Sequence, residues 1–241
     1  MVQVEEKSIE NKKAFINEMF ANIAEKYDLL NNLITFGMHN LWKKKAVSLA
    51  LSEIDEPKYA LDLCAGTGDL SIILKKNCPN IKITCVDNCL SMLKLAQNKF
   101  EKHNIFDIEP INLDCENLKL PGSSFDLITI SFGLRNLINK PKALSSIYSL
   151  LKPCGVFTCL DLGFPKNILW QKVYYFYFFN LVPKLGQMFA QNKEAYTYLP
   201  SSLNAWYKQE DLKELILKTG FTRCYFKNIL GGAIAIHIAI K

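Results

Sequence analysis

The stretch "LDLCAGTGDL", Leu61 to Leu70, joins an apolar run to a helical one through Gly66-Thr67-Gly68, with Asp62 inside the run and Asp69 opening the helix. Glycines in such a turn let backbone approach a ligand closely, and the following helix offers N–H groups that lack internal partners. The same turn also serves plain strand-to-helix connections, so its meaning depends on what surrounds it. From Tyr59 to Asp161 the pattern repeats. "YALDLC" is followed by "DLSIILKKN", "IKITCVD" by "LSMLKLAQNKF", and then come "IEPINLD", "FDLITIS", a helix through "PKALSSIYSLL", and "GVFTCLDL". Strands apolar throughout and separated by helices predict a parallel sheet covered on both faces, a doubly wound α/β core. Pro141 suits a first helical turn, and Pro153 to Gly155 are expected to break the helix before the fifth strand. After Gly220, "FTRCYFKNI" and "AIAIHIAIK" flank Gly231-Gly232 and predict a pair of antiparallel edge strands that finish the sheet.

Two segments lie outside this alternation. Residues 1–52 predict an N-terminal helical cap, with Phe15, Met19, Phe20 and Ile23 at helical spacing. Residues 164–207 are rich in aromatics and predict an inserted helical segment. Neither a repeat nor a low-complexity linker divides the 241 residues, so a single domain is the economical expectation.

Composition narrows the function less than the turns do. A net charge of +6, from 29 Lys+Arg against 23 Asp+Glu, suits an anionic surface without requiring one. The eight cysteines form no C-x-x-C pair, and Cys64, Cys85 and Cys159 interrupt strand-like runs, which suits core fillers in a reducing compartment better than zinc ligands; no metal site is expected. The charged start "MVQVEEKSIENKK" is unlike a signal peptide, and "WQKVYYFYFFNLV" is shorter than the ~20 residues a membrane-spanning helix needs.

The polar residues at the strand ends carry the chemistry. Asp87 closes the second strand nineteen positions after Gly68, where a carboxylate can accept both ribose hydroxyls of an adenosine. Asp114 and Cys115 follow the third strand near the place of an adenine ring, and Ser131 ends the fourth. Open α/β sheets bind ligands along this carboxyl edge. A dinucleotide site would continue to a third glycine where Ser71 stands, so the turn suits a cofactor without a pyrophosphate. "LDLCAGTGDLS" resembles the first motif of class I S-adenosylmethionine-dependent methyltransferases, a Rossmann-like fold.

The resemblance then becomes specific. "YDLLNNLITFGMHNLWKKKAV", "LDLCAGTGDLS", "DLITISFGLRNLINKPKALSSIYSLLKPCG" and "TGFTRCYFKNILGGAIAIHIAIK" are similar to the ubiquinone/menaquinone biosynthesis C-methyltransferase family, from about Ile23 to the C-terminus. The resemblance implies S-adenosylmethionine as cofactor, held by Gly66, Thr67, Gly68, Asp87, Asp114, Cys115 and Ser131, with Asp62 beside them. It implies as substrate a reduced polyprenyl quinol methylated on a ring carbon, demethylmenaquinol giving menaquinol; the alternatives are a demethylated benzoquinol of ubiquinone biosynthesis or another small molecule. A hydroquinone becomes a carbon nucleophile when a ring hydroxyl loses its proton, and Arg135, just beyond the fourth strand, is the expected stabiliser of that phenolate. Tyr27, Asp28 and Asn31 are candidate quinol contacts, and His39 and His237 are further residues able to hold a proton.

Three positions depart from the family pattern: Lys152-Pro153-Cys154-Gly155, remote from the ligand edge, and Asp161-Leu162-Gly163 and Trp206-Tyr207, which are expected at the quinol pocket. A cysteine nucleophile at Cys154 is rejected, because it precedes the fifth strand and so lies at the opposite edge from the cofactor. No module for nucleic acid is recognisable. A cytoplasmic enzyme is expected; residues 167–190, with Lys172 and Lys184 near their ends, suit either an interfacial or lid helix at the membrane surface or a buried helix covering the sheet, with Lys43, Lys44 and Lys45 able to add attraction to anionic lipid; monomer or homodimer is left open.

Overall fold

The structure, a computed structural model, describes residues 2–190, 198, 200 and 202–241. Within these residues seven strands form one sheet in the order β3-β2-β1-β4-β5-β7-β6. β1 (Tyr59–Leu63), β2 (Lys82–Asp87), β3 (Ile108–Asn112), β4 (Phe125–Ser131) and β5 (Leu151–Leu162) are parallel, and β7 (Ile234–Ile240) and β6 (Arg223–Ile229) are antiparallel to their neighbours. The chain winds from β1 toward β3 and then restarts on the other side of β1 at β4. A crevice therefore opens at the carboxyl ends of β1 and β4, the switch point at which such sheets hold ligands.

The central strands are buried over nearly their whole length, as their unbroken apolar sequence requires. α3 (Asp69–Asn77), α4 (Leu90–Lys102), α5 (Lys140–Leu150) cover the parallel half. Asn139 caps α5 by accepting from the Lys142 N–H, with Pro141 in the first turn as expected. One detail differs from expectation. Pro153 to Gly155 do not precede β5 but lie inside it, where Cys154 has φ +62° and the register with β4 shifts. The antiparallel pair ends the sheet as expected, with β7 against β5 and β6 outermost, at the opposite edge from β3.

The cap consists of α1 (Val2–Thr35) and α2 (Met38–Leu51), broken at Phe36 and Gly37, whose φ values are +51° and +73°. The buried stripe of α1 runs through Ile16, Met19, Ile23 and Leu30. Phe15 lies outside it, exposed and edge-on to Tyr198. Beyond β5 the chain forms α6 (Ile168–Phe176), a π-helical turn Tyr177–Leu181, and α7 (Val182–Ala190). Of the expected insert 164–207, residues 191–197, 199 and 201 lie outside the described residues. α8 (Gln209–Lys218) then leads into the β6–β7 pair. Among the described residues, no helix is long and apolar enough to cross a membrane.

Candidate active site

The carboxyl edge holds two adjoining cavities, of about 70 and about 340 Å³. The smaller lies over β2 and β3. The Gly66 N–H donates to Asp87 Oδ2 at 2.9 Å and the Cys89 N–H to Oδ1 at 2.8 Å. Burial pushes the Asp87 pKa up against these backbone donors, and each oxygen keeps accepting capacity toward the cavity. Asp114 Oδ1 accepts from the Glu116 N–H at 2.9 Å, and Lys13 of α1 reaches Asp114 Oδ2 at 2.8 Å and Glu116 Oε2 at 2.5 Å. Burial acts to raise the Asp114 pKa, but Lys13 and the backbone donor hold it below the ordinary value. Cys115 is buried, its thiol 3.9 Å from the Val86 carbonyl. Gly66, Asp87, Asp114, Cys115 and Ser131 thus share one cavity, roofed by Ile16 and Phe20 of α1.

The glycine turn is fastened to the cap by charge. Thr67 Oγ1 donates to Asp28 Oδ1 at 2.7 Å, and Lys99 Nζ reaches Thr67 Oγ1, Asp28 Oδ2 and Asp69 Oδ1 at 2.9, 2.6 and 2.5 Å. Lys43 bonds the other Asp69 oxygen at 2.8 Å. Burial opposes ionisation of Asp69, yet the two lysines prevail and hold its pKa at about 2. Gly68 begins α3 with φ +78°, and a Cβ there would meet Phe100 at 2.6 Å, so both its dihedral and its packing demand glycine. Asp62, fully buried, accepts from Ser71 Oγ at 2.7 Å and Thr129 Oγ1 at 2.9 Å. Burial outweighs those hydroxyls and lifts its pKa to about 6. Its carboxylate braces β1 against α3 and β4 at the floor of the larger cavity.

That larger cavity is mostly apolar, walled by α1, α2, α6 and the end of β4. Arg135 lies in it, in the short 3₁₀ turn Leu134–Asn136, and its partner is Asp161. Nη1 donates to Asp161 Oδ1 and to the Phe132 carbonyl, both at 2.6 Å, and the Arg135 N–H donates to Asp161 Oδ2 at 3.2 Å. Burial pulls the guanidinium pKa down, but the Asp161 charge turns the net shift upward, so Arg135 stays ionised. Its Nε is buried without a hydrogen-bond partner among the described residues, as is the Oγ of Ser131, a residue that lines both cavities. The positive charge expected from the sequence is therefore present and paired with Asp161, with the Nε–H unspent.

Of the cap candidates, Tyr27 and Asn31 stand at the cavity wall, and burial raises the Tyr27 phenol pKa against the opposing influence of Asn31. Asp28 instead serves as the tether to Thr67 and Lys99. His39 borders the cavity within 2.9 Å of Thr35 Oγ1, and burial, with Lys43 nearby, lowers its pKa to about 4. His237 lies inside β7 against the Gln209 carbonyl at 2.9 Å, away from the cavity lining. Of the departures, Leu162 lines the cavity and Trp206 packs behind it, donating to the Leu162 carbonyl at 2.8 Å. Lys13, Lys99 and Tyr174 are residues at these cavities that sequence reasoning missed. Asp161 is expected there from the sequence as a departure from pattern, and strand pairing is what makes it the partner of Arg135.

A doubly wound sheet with the acid of β2 facing the switch point, and a reversed β7 slotted between β5 and β6, defines a class I S-adenosylmethionine-dependent methyltransferase. Solved structures bear out the fold. A SAM-dependent methyltransferase of Thermotoga maritima superposes with TM-score 0.63 at 20% identity, over 93% of this chain and 99% of that one. The plantazolicin methyltransferase BpumL gives TM-score 0.66 at 17% identity, over 100% of this chain and 99% of that one. The family is fixed by sequence: the profile of the ubiE/COQ5 methyltransferase family matches residues 6–241, and the chain belongs to that family. The ubiquinone/menaquinone biosynthesis C-methyltransferase UbiE of Rickettsia bellii (strain RML369-C) is 39% identical over 95% of this chain and 94% of its own. Its counterpart in Pseudoalteromonas translucida (strain TAC 125) is 38% identical over 96% and 93%. S-adenosylmethionine is the cofactor. The residues present suit it: a two-oxygen acceptor at Asp87, an unpartnered Ser131 hydroxyl, and open space where a Cβ at Gly66 would project.

Proposed function

We propose that this protein methylates a ring carbon of a reduced polyprenyl quinol, converting demethylmenaquinol to menaquinol, as one methyltransferase domain capped by residues 1–52. The observation that carries the reading is the junction of the two cavities. A small chamber bordered by Asp87, Asp114 and Glu116 meets a larger apolar one at Ser131, and the apolar one contains a single buried guanidinium, Arg135, with an unspent Nε–H.

In this reading Asp87 receives the ribose hydroxyls, Asp114 and Cys115 flank the adenine, Gly66 and Ser131 lie where the two cavities meet, and Asp62, Thr67 and Gly68 hold the glycine turn beside the cofactor. When bound, S-adenosylmethionine supplies an electrophilic methyl group on its sulfonium. Arg135 acts on the quinol. Its Nε–H lies in a water-poor cavity, where a preorganised donor stabilises a developing phenolate far better than water would. Asp161 fixes the guanidinium in place, so no reorganisation is needed when the charge appears. Tyr27 and Asn31 hold the ring from the cap side, which keeps the nucleophilic carbon oriented.

The substrate's lipid tail supports a contact with the membrane surface. Phe36, which lines the larger cavity, is 77% exposed, and Leu41, Leu169 and Phe176, each next in sequence to a lining residue, are 63%, 74% and 60% exposed, apolar surface of the kind that marks interaction sites. Residues 29–52 and 162–187 contain no acidic residue, while Lys44, Lys45, Lys166, Lys172 and Lys184 are all exposed, which complements anionic lipid on a cytoplasmic leaflet.

A benzoquinol is the second reading, favoured by relatives whose names cover both quinones. The test is methyl transfer from labelled cofactor to reduced demethylmenaquinone, beside a demethylated benzoquinol and total RNA. Transfer to the naphthoquinol is expected, and Arg135→Gln should cut turnover by about two orders of magnitude or more with cofactor affinity near normal, as for loss of one preorganised donor. Transfer to RNA alone, or unchanged turnover in the variant, refutes the reading.

A further inference from the structure

Five side-chain polar atoms are buried without a hydrogen-bond partner among the described residues, and three of them, Ser131 Oγ, Arg135 Nε and Tyr174 Oη, belong to residues lining the larger cavity. The first two fall on the sheet edge. Tyr174 stands on α6, the insert side, and is 7% exposed. Its ring is held by neighbours, with the Tyr175 and Phe178 rings centred 5.7 and 5.4 Å away. A phenylalanine would fill the same space without the desolvation cost of an unpaired hydroxyl, so the fold gives this hydroxyl no task.

We propose that Tyr174 Oη is the hydrogen-bonding subsite for the second oxygen of an aromatic para-diol whose first oxygen is held by Arg135. The inference rests on the quinol reading above and deepens it. A para-diol has two hydroxyls at opposite ends of a ring. An otherwise apolar cavity that paired only one of them would leave the other buried and unsatisfied. Two unpaired polar groups on different walls of one apolar cavity are the complement of such a molecule, and both are satisfied only when it binds. The Arg135 and Asp161 charges reach the Tyr174 hydroxyl electrostatically, and burial keeps the phenol protonated and able to donate. The subsite also confers selectivity, because a site with a buried hydrogen-bonding group rejects the analogue that lacks the matching oxygen.

The test compares wild type with Tyr174→Phe on two substrates: the reduced demethylated naphthoquinol, and the mono-ol that keeps the hydroxyl beside the reacting carbon and lacks the opposite one. Wild type should prefer the diol, and Tyr174→Phe should raise KM for the diol about 5- to 30-fold, the worth of one hydrogen bond, and leave the mono-ol nearly unchanged. The melting temperature of the ligand-free variant should equal or exceed that of wild type, which a structural role for the hydroxyl would not allow. A variant that handles the diol as wild type does, or that melts several degrees lower, overturns the subsite alone. A wild type that methylates neither compound overturns the quinol reading and the subsite with it.

Discussion

Replacing Asp161 by asparagine tests how the buried charge at the site is balanced. Asp161 and Arg135 side chains are 3% and 8% exposed, and the carboxylate receives the guanidinium Nη1, the Arg135 N–H and the Leu162 N–H. Asparagine keeps the shape but removes the charge and turns one acceptor into a donor. Charges about 4 Å apart at an effective dielectric of about 20 attract by roughly 4 kcal/mol. Stranding one partner of a buried pair costs about 3–5 kcal/mol. For a chain of this length each kcal/mol moves Tm by about 2–4 °C, so Asp161→Asn should melt about 6–20 °C below wild type. Replacing both partners together, Arg135→Met with Asp161→Leu, should recover most of that loss while abolishing methyl transfer, because no orphan charge remains. Thermal melts and urea titrations of the singles and the double close the cycle. If Asp161→Asn melts within about 2 °C of wild type, the pair is not the buried, low-dielectric contact described here.

Three further outcomes follow from the same geometry. Gly68→Ala should cost about 3 kcal/mol or more, since its Cβ meets Phe100 at 2.6 Å, whereas Gly66→Ala, strained at φ +57° but in open space, should cost about 1 kcal/mol and weaken cofactor binding instead; equal costs in denaturant titrations would contradict this. Asp69, held at about 2 against an ordinary 3.8, contributes roughly 2 kcal/mol that is present above pH 4 and lost as pH falls through 2. Asp69→Asn should therefore flatten the acid limb of the stability profile between those values, and an unaltered limb counts against the Lys43–Asp69–Lys99 cluster. Leu169→Glu with Phe176→Glu should abolish co-sedimentation with anionic liposomes and spare methylation of a short-chain quinol; undiminished sedimentation would show that α6 is not the contact.

The parallel half of the fold was legible because β1, β2, β4 and β5 are buried along almost their whole length, so their sequences read as continuous apolar runs between helices. The antiparallel β6–β7 pair closes the sheet as its sequence indicates, and burial tells which of the two is outermost: "IAIHIAI" is buried at six of seven positions, the signature of an interior strand, while "RCYFKNI" is largely open on one face. At the site, Gly66, Asp87, Asp114, Cys115 and Ser131 could be placed together because strand ends converge by topology, whereas Thr67 lines the larger cavity and is tied to Asp28 and Lys99. The partner of Arg135 could not, since Asp161 lies 26 residues away and meets it only through the pairing of β4 with β5. Nor could Tyr174, one of several aromatics on α6 and the π turn, where only three-dimensional burial tells which ring faces inward.

α1 extends for 34 residues, about 50 Å of helix, and closes both cavities. Lys13 fastens its amino-terminal part to Asp114 and Glu116, Asp28 fastens its middle to Thr67 and Lys99, and the Tyr177 hydroxyl fastens its end through the Ile34 carbonyl at 2.5 Å. The two ligands therefore share one rigid lintel. In the proposed reading any ordering of this helix by one ligand would lessen the ordering left for the other, and by reciprocity the gain would be equal in either order. Cofactor and quinol would then be coupled through the helix that also carries Tyr27 and Asn31.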